Sequence, residues 1–268
     1  MAEEEKCREE SPLLQPLGVL RRGLAGEGWR PRLPNYLKDY RREAVADVVL
    51  SLMQISFGNI VYALEAKDEY SSQHSQRVAE LSGRFAEVLG VSDTAVKRVR
   101  LAAGIHDIGK IGIPDAVLNY PGRLSDEAFA QMKRHPEIGA GIIQKTVDAA
   151  QNDRLELIPG VEVLRQEIEE VRLAVLHHHE RWNGTGYPAR LAGEDIPRLA
   201  RIIALCDSTD AMMGDRVYRK APGAQYCQSE LERNAGVMYD PELTPIFLEH
   251  WEELVQGLYD APPEAAPK

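Results

Sequence analysis

Cysteine, positive charge and long apolar runs are all scarce in this chain. Its 268 residues include three cysteines, Cys7, Cys206 and Cys227, with no CxxC spacing. An odd, widely spaced set argues against a disulfide framework or a thiolate zinc site, and suits a reducing cytoplasm. Lys and Arg total 32 against 42 Asp and Glu, a net charge of −10. A broad basic face for nucleic acid is therefore not expected, and DNA is not among the expected partners. No run of 18 apolar residues exists. The longest stretches, such as Ala44–Ala46 and Val48–Leu50, are interrupted by charge, so no membrane-spanning helix is expected. The first ten residues are rich in Glu and lack a signal-peptide apolar region.

What the chain does have is helical periodicity. Residues 1–34 are broken by Pro12, Pro16, Pro31, Pro34 and four glycines, which predicts a loosely ordered lead-in. From Asn35, a suitable cap, the residues Leu37, Tyr40, Ala44, Val48, Leu52 and Ile55 recur at steps of three and four. This predicts an amphipathic helix over 35–68, used for packing or for dimerisation. Similar spacing predicts helices over Ser75–Val88, Thr94–Ile105 and Ser125–Met132, and a last one carrying Phe247, Trp251, Leu254 and Leu258. A helical domain over 69–260 and a frayed, Pro-rich tail over 261–268 complete the expected organisation. No alternating strands and no internal repeat are visible. The expected fold is all-α.

The chemistry lies in the histidines. There are seven: His74, His106, His135, His177, His178, His179 and His250. His106 is followed directly by Asp107 after an apolar segment. His178–His179 follow the apolar stretch Val171–Leu176, and Asp207 follows Ile202–Leu205. Imidazole and carboxylate without thiolate suit borderline divalent metals. A lone His-Asp pair at a helix end would be read as a hydrogen-bonded pair. Three apolar segments that each end in such residues favour a metal centre, because costly polar groups beside a core need compensation.

Several segments together resemble the HD-GYP family, a subgroup of HD-domain metal-dependent phosphohydrolases. They are His74–Ala79, His106–Pro114, His135–Gly139, His178–Pro188, Arg201–Ile203 leading to Asp207–Ala211, and Arg216–Arg219, in family order between about Val61 and Phe247. The resemblance implies a helical bundle with a GYP loop that hydrolyses cyclic di-GMP to pGpG and, in many members, onward to GMP. It implies that His74, His106, Asp107 and Asp207 form the basic metal site and that His135, His178 and His179 add the further ligands. Two divalent cations, iron or manganese, would share Asp107 and lower the pKa of a water between them. Lys110 would hold a phosphate oxygen as a catalytic cation. Arg216, Arg219, Tyr187 and Asp210 would line the substrate side. The GYP loop is linked in the family to contacts with diguanylate cyclase domains. Homodimerisation through the first long helix is a further expectation.

The chain also departs from the family pattern. Asn183 stands where Asp is usual, which loses a charge that could orient a ligand histidine. Tyr70 replaces the Glu that holds a third metal in some members. The 43-residue interval from His135 to His178 is long, with the surplus placed in 148–166 as an extended hairpin or a partner-binding insertion. His177 is read as lying behind the ligands or facing solvent, His250 as a surface residue, and Cys206, Met212 and Met213 as packing. Two other readings stay open: a binding or cyclase-docking module with little turnover, and a phosphohydrolase acting on another nucleotide.

Overall fold

A computed structural model describes residues 35–65, 71–151, 161–214 and 221–259. Arg216, Arg219, Tyr70, residues 1–34 and the centre of the 148–166 segment lie outside them. Contacts divide the chain into Met1–Tyr40 and a compact unit from Arg41 onward. The eleven helices among the described residues are α1 Asn35–Glu65, α2 Ser71–Val88, α3 Asp93–Gly104, α4 Asp115–Leu118, α5 Asp126–Met132, α6 His135–Gln151, α7 Val161–His177, α8 Arg198–Met213, α9 Ala224–Arg233, α10 Leu243–Glu249 and α11 Trp251–Val255. A 3-10 turn over Ile108–Gly112 joins α3 to α4. No strand occurs among the described residues, only the isolated bridges Asn183–Ala192 and Ala235–Tyr239. The fold is all-α, as expected.

Local chemistry starts and stops these helices. Ser92 accepts a hydrogen bond from the Ala95 N–H at the start of α3, and Ser125 accepts one from Ala128 at the start of α5. Such caps satisfy main-chain donors that have no partner within the helix. The core is aliphatic. Val78, Leu81 and Phe85 of α2 meet Ala102 and Ala103 of α3, Val171 and Val175 of α7, and Ile202 and Ile203 of α8, all in one buried cluster. Arg98 on α3 ties α7 down with bonds of 2.5 and 2.7 Å to buried Glu167 and 2.6 Å to Glu170. The expected single C-terminal helix is two, broken at His250. The break lets Phe247, Trp251 and Leu254 all turn inward, with Phe247 edge-on to Phe85 at 5.0 Å.

α1 is less interrupted by charge than the sequence stretches around Asp47 suggest. Arg42–Leu64 is long and apolar enough to cross a membrane by length and composition, although 28% of it is buried in the protein. No charged residue lies between Asp47 and Glu65. Its two sides differ. Val49, Leu50, Met53 and Phe57 are buried in the core cluster, whereas Val48, Leu52, Ile55 and Tyr62 are 59–67% exposed.

Candidate metal centre

Each candidate ligand stands at the end, or on the inner face, of a core helix. His74 is on α2. His106 and Asp107 follow the last turn of α3. His135 opens α6, His178 and His179 follow α7, and Asp207 is on α8. The apolar segments seen in the sequence are the anchors: they bury in the bundle and deliver the polar residues to one place. Gly109 lets the 3-10 turn press against α6, since a Cβ there would lie 1.9 Å from the His135 carbonyl oxygen.

All seven candidate ligands converge, in two groups of ligand atoms each within 4.8 Å. Asp107, His135, His178 and His179 form one, and His74, His106 and Asp207 the other. Asp107 reaches both. Its Oδ1 is 3.2 Å from His135 Nε2, and its Oδ2 is 3.4 Å from His106 Nε2 and 3.8 Å from His74 Nε2. Asp207 Oδ1 is 3.3 Å from His74 Nε2.

The protons decide whether a cation fits. Nδ1 of His106, His135 and His178 sits 2.6, 2.9 and 2.7 Å from the main-chain carbonyls of Ala103, Met132 and Val175. A carbonyl only accepts, so each ring keeps its proton on Nδ1 and leaves a bare lone pair on Nε2. Burial favours the neutral rings and lowers the pKa of His106 and, further, of His178. His179 is pushed down to about 4, again chiefly by burial. His106 Nε2 is buried with no hydrogen-bond partner. His135 Nε2 and His178 Nε2 face each other at 3.3 Å, lone pair to lone pair. A cation resolves both conflicts, so the residues present fit divalent metal.

His74 is held differently. Its Nδ1 lies 2.7 Å from Asp210 Oδ2, and Asp210 is clamped by Arg77 through bonds of 2.6 and 3.0 Å. Asp210 has no exposed surface. The expected place on the substrate side is corrected: buried Asp210 lies behind the candidate ligand His74, on its Nδ1. Desolvation works against a charged His74, but the surrounding carboxylates outweigh it and raise its pKa. Lys110 also sits closer to the cluster than expected, with Nζ 2.6 Å from Asp107 Oδ2. Burial works against a charged Asp107, but the Lys110 ammonium beside it outweighs burial and holds the carboxyl well below its usual range.

The GYP loop closes one side. The Tyr187 ring lies 4.8 Å from the His179 ring, and its N–H donates to the His179 carbonyl at 3.2 Å. Gly186 permits this close return, because a Cβ would lie 2.4 Å from Arg181 N and Glu180 Cα. Asn183 Oδ1 accepts from the Thr185 N–H at 3.1 Å and from its hydroxyl at 2.7 Å. It shapes the turn, a task an amide oxygen performs as well as a carboxylate. His177 does not face solvent; it is 7% exposed, with Nδ1 3.5 Å from Glu180.

Residues 61–243 match the family model described as HD domain. The chain belongs to the HD-domain family. Its paired His178–His179 and the Gly184–Pro188 loop place it in the HD-GYP group. A cyclic di-GMP phosphodiesterase from Thermotoga maritima is 38% identical over 190 residues, covering 71% of this chain and 47% of that protein. The 3'3'-cGAMP-specific phosphodiesterase 2 of Vibrio cholerae is 32% identical over 197 residues, covering 74% and 34%. The cyclic di-GMP phosphodiesterase response regulator RpfG of Xanthomonas campestris is 35% identical over 201 residues, covering 75% and 49%. This HD-GYP chain thus matches half or less of the length of these relatives.

Two contributors escaped the sequence reading. Arg77 follows His74 by three residues on α2, a spacing that puts both on one face and was a usable signal. Buried Glu180 accepts the Ala189 N–H at 2.7 Å and so fixes the far end of the GYP loop. Nothing in its sequence neighbourhood announces that bond, since the partner lies nine residues on.

Proposed function

We propose that the chain is a metal-dependent phosphodiesterase that opens cyclic di-GMP to pGpG and carries it on to GMP. The observation that supports this best is the set of bare imidazole nitrogens gathered around Asp107. Two divalent cations, iron or manganese, supply there a Lewis acid and an activated water for attack on phosphorus. His74, His106 and Asp207 would hold one, His135, His178 and His179 the other, and Asp107 lies within reach of both groups. Lys110 keeps a positive charge beside the shared carboxylate, where it meets an incoming phosphate oxygen. Tyr187 flanks the pocket, and Arg216 and Arg219 bind substrate phosphate. The reaction belongs in the cytoplasm, which fits the free, buried Cys206 and Cys227.

Purified protein loaded with iron or manganese should convert cyclic di-GMP to linear product on chromatography. Full metal loading with binding but no turnover would select the non-catalytic reading. A related protein is named for 3'3'-cGAMP, so the same assay with that dinucleotide ranks the two substrates.

We also propose a homodimer through α1. Val48, Leu52, Ile55, Asn59 and Tyr62 recur at steps of four and three, the period of a coiled-coil seam, and all are exposed. Asn59 then takes a core position where a polar residue sets register. An uncharged seam lets two copies with net charge −10 meet without local repulsion. The buried side of α1 anchors it in the bundle, which favours a second copy over a bilayer. Ile55→Glu should convert a dimer to a folded monomer by light scattering. A wild-type monomer, or flotation with lipid vesicles, would overturn the dimer. Docking of diguanylate cyclase domains is assigned to the exposed Thr185 end of the GYP loop, and co-sedimentation with such a domain tests it.

A further inference from the structure

A second feature of the surface is not explained by the ligand cluster. A cleft of 770 Å³ lies between the α5–α6 junction and the GYP loop. Lys133, Arg134, Arg181 and Arg190 line it, with Glu137 as the acidic member. Elsewhere the cations tend to be paired: Arg77 with Asp210, Arg98 with Glu167, Arg172 with Glu169, Arg201 with Asp240, Lys97 with Asp47. Among the described residues, none of the four in the cleft has an ion-pair partner. Four unpaired cations around one concavity, in a protein of net charge −10, make a local anion trap.

The backbone adds an independent sign. Arg190 has φ 57°, the only non-glycine with positive φ among the described residues. A glycine would fit that conformation more easily, so the strain is borne by a residue that lines the cleft. Phe129 lines the same cleft, is 48% exposed, and lies 5.2 Å from the Lys133 ammonium. An exposed ring beside cations suits a purine base next to a phosphate.

The cleft adjoins the ligand cluster. Tyr187 lines it and lies against His179, and Lys133 and Arg134 directly precede His135. A cyclic dinucleotide carries two phosphodiesters and two bases on one ring. When one phosphate meets the cluster, the other phosphate and its base must lie beyond it.

We propose that this cleft binds the distal phosphate and base of the dinucleotide, and that Lys133, Arg134 and Arg190 set the preference for a two-phosphate substrate over a simple diester. The proposal rests on the phosphodiesterase reading above. The test compares the manganese-loaded wild type with Arg190→Gly, which suits the backbone, and with the double variant Lys133→Gln/Arg134→Gln. KM is measured for cyclic di-GMP and for bis(p-nitrophenyl) phosphate, which has one phosphate and no base. Binding of pGpG is measured separately by calorimetry.

Each variant should raise KM for cyclic di-GMP about tenfold or more, the effect of one lost charge-assisted bond. The rise for the small diester should stay within about twofold, and pGpG binding should weaken in parallel. Equal changes on both substrates, or none on either, would overturn the proposal. If the wild type turns over neither substrate, the phosphodiesterase reading has failed on its own. Calorimetry then decides the cleft: wild-type affinity for pGpG in the variants refutes it, and about tenfold weaker binding sustains it.

Discussion

The two groups of ligands are built by different means. In the group around His135 and His178, main-chain carbonyls hold Nδ1 of each ring, at 2.9 and 2.7 Å. In the group around His74, a carbonyl also holds His106, at 2.6 Å, but a buried carboxylate, Asp210, backed by Arg77, holds His74 itself. A carboxylate donates more charge to an imidazole than a carbonyl does, so it raises the basicity of the other nitrogen. The pKa directions follow the partner of each ring, raised for His74 and lowered for carbonyl-held His106 and His178 and for buried His179. One end of the site thus has a single ring tuned by charge, His74, while the other rings at both ends are tuned by burial and main-chain geometry. The charge-tuned end should hold a cation more firmly, and the burial-tuned end should release it first.

The largest expected effect removes what the two ends share. Asp107→Ala should reduce turnover by at least about 10³-fold and lower metal content at both ends, read by elemental analysis. Retention of two metals would show that the ends do not depend on the shared carboxylate. Next comes the contrast itself. Asp210→Ala should weaken metal at the His74 end by about 10–100-fold, while His135→Ala should empty the other end first. Metal titration of the two variants should give different remaining affinities; identical curves would abolish the distinction.

Lys110→Ala should keep both metals, because an ammonium has no lone pair to offer, and lower kcat by about 10²-fold. Metal loss in this variant would mean that its ion pair with Asp107 holds the ligand in place. The smallest effect belongs to the loop. Asn183→Asp should change kcat by less than about twofold, since either side chain accepts from Thr185 and the residue is exposed. A large gain in metal affinity would tie position 183 to the ligands after all.

The particular residues explain how much could be read in advance. Helices α2, α3 and α5 were legible from spacing and caps, because an apolar stripe and a Ser before Asp are local signals. The seven candidate ligands were legible as residue types at the ends of apolar segments. Asp210 was not, because the same aspartate can face a ligand, a substrate or a histidine's back. Only the rotation of α8 against α2 separates these. α1 was legible as a helix, but its division into a core side and an exposed seam needed the bundle in place.

The sequence by itself therefore determined the helical class, the family, and the His and Asp set, since periodicity and motif order are properties of the chain alone. The tertiary structure decided which nitrogen of His106, His135 and His178 carries the proton. It also decided which aspartate stands behind His74, and that four unpaired cations share one cleft. Those facts depend on bringing together residues as far apart as His74 and Asp210, which touch, or Lys133 and Arg190, which line one cleft. The packing angles that make such contacts arise only when separate helices bury their apolar faces together.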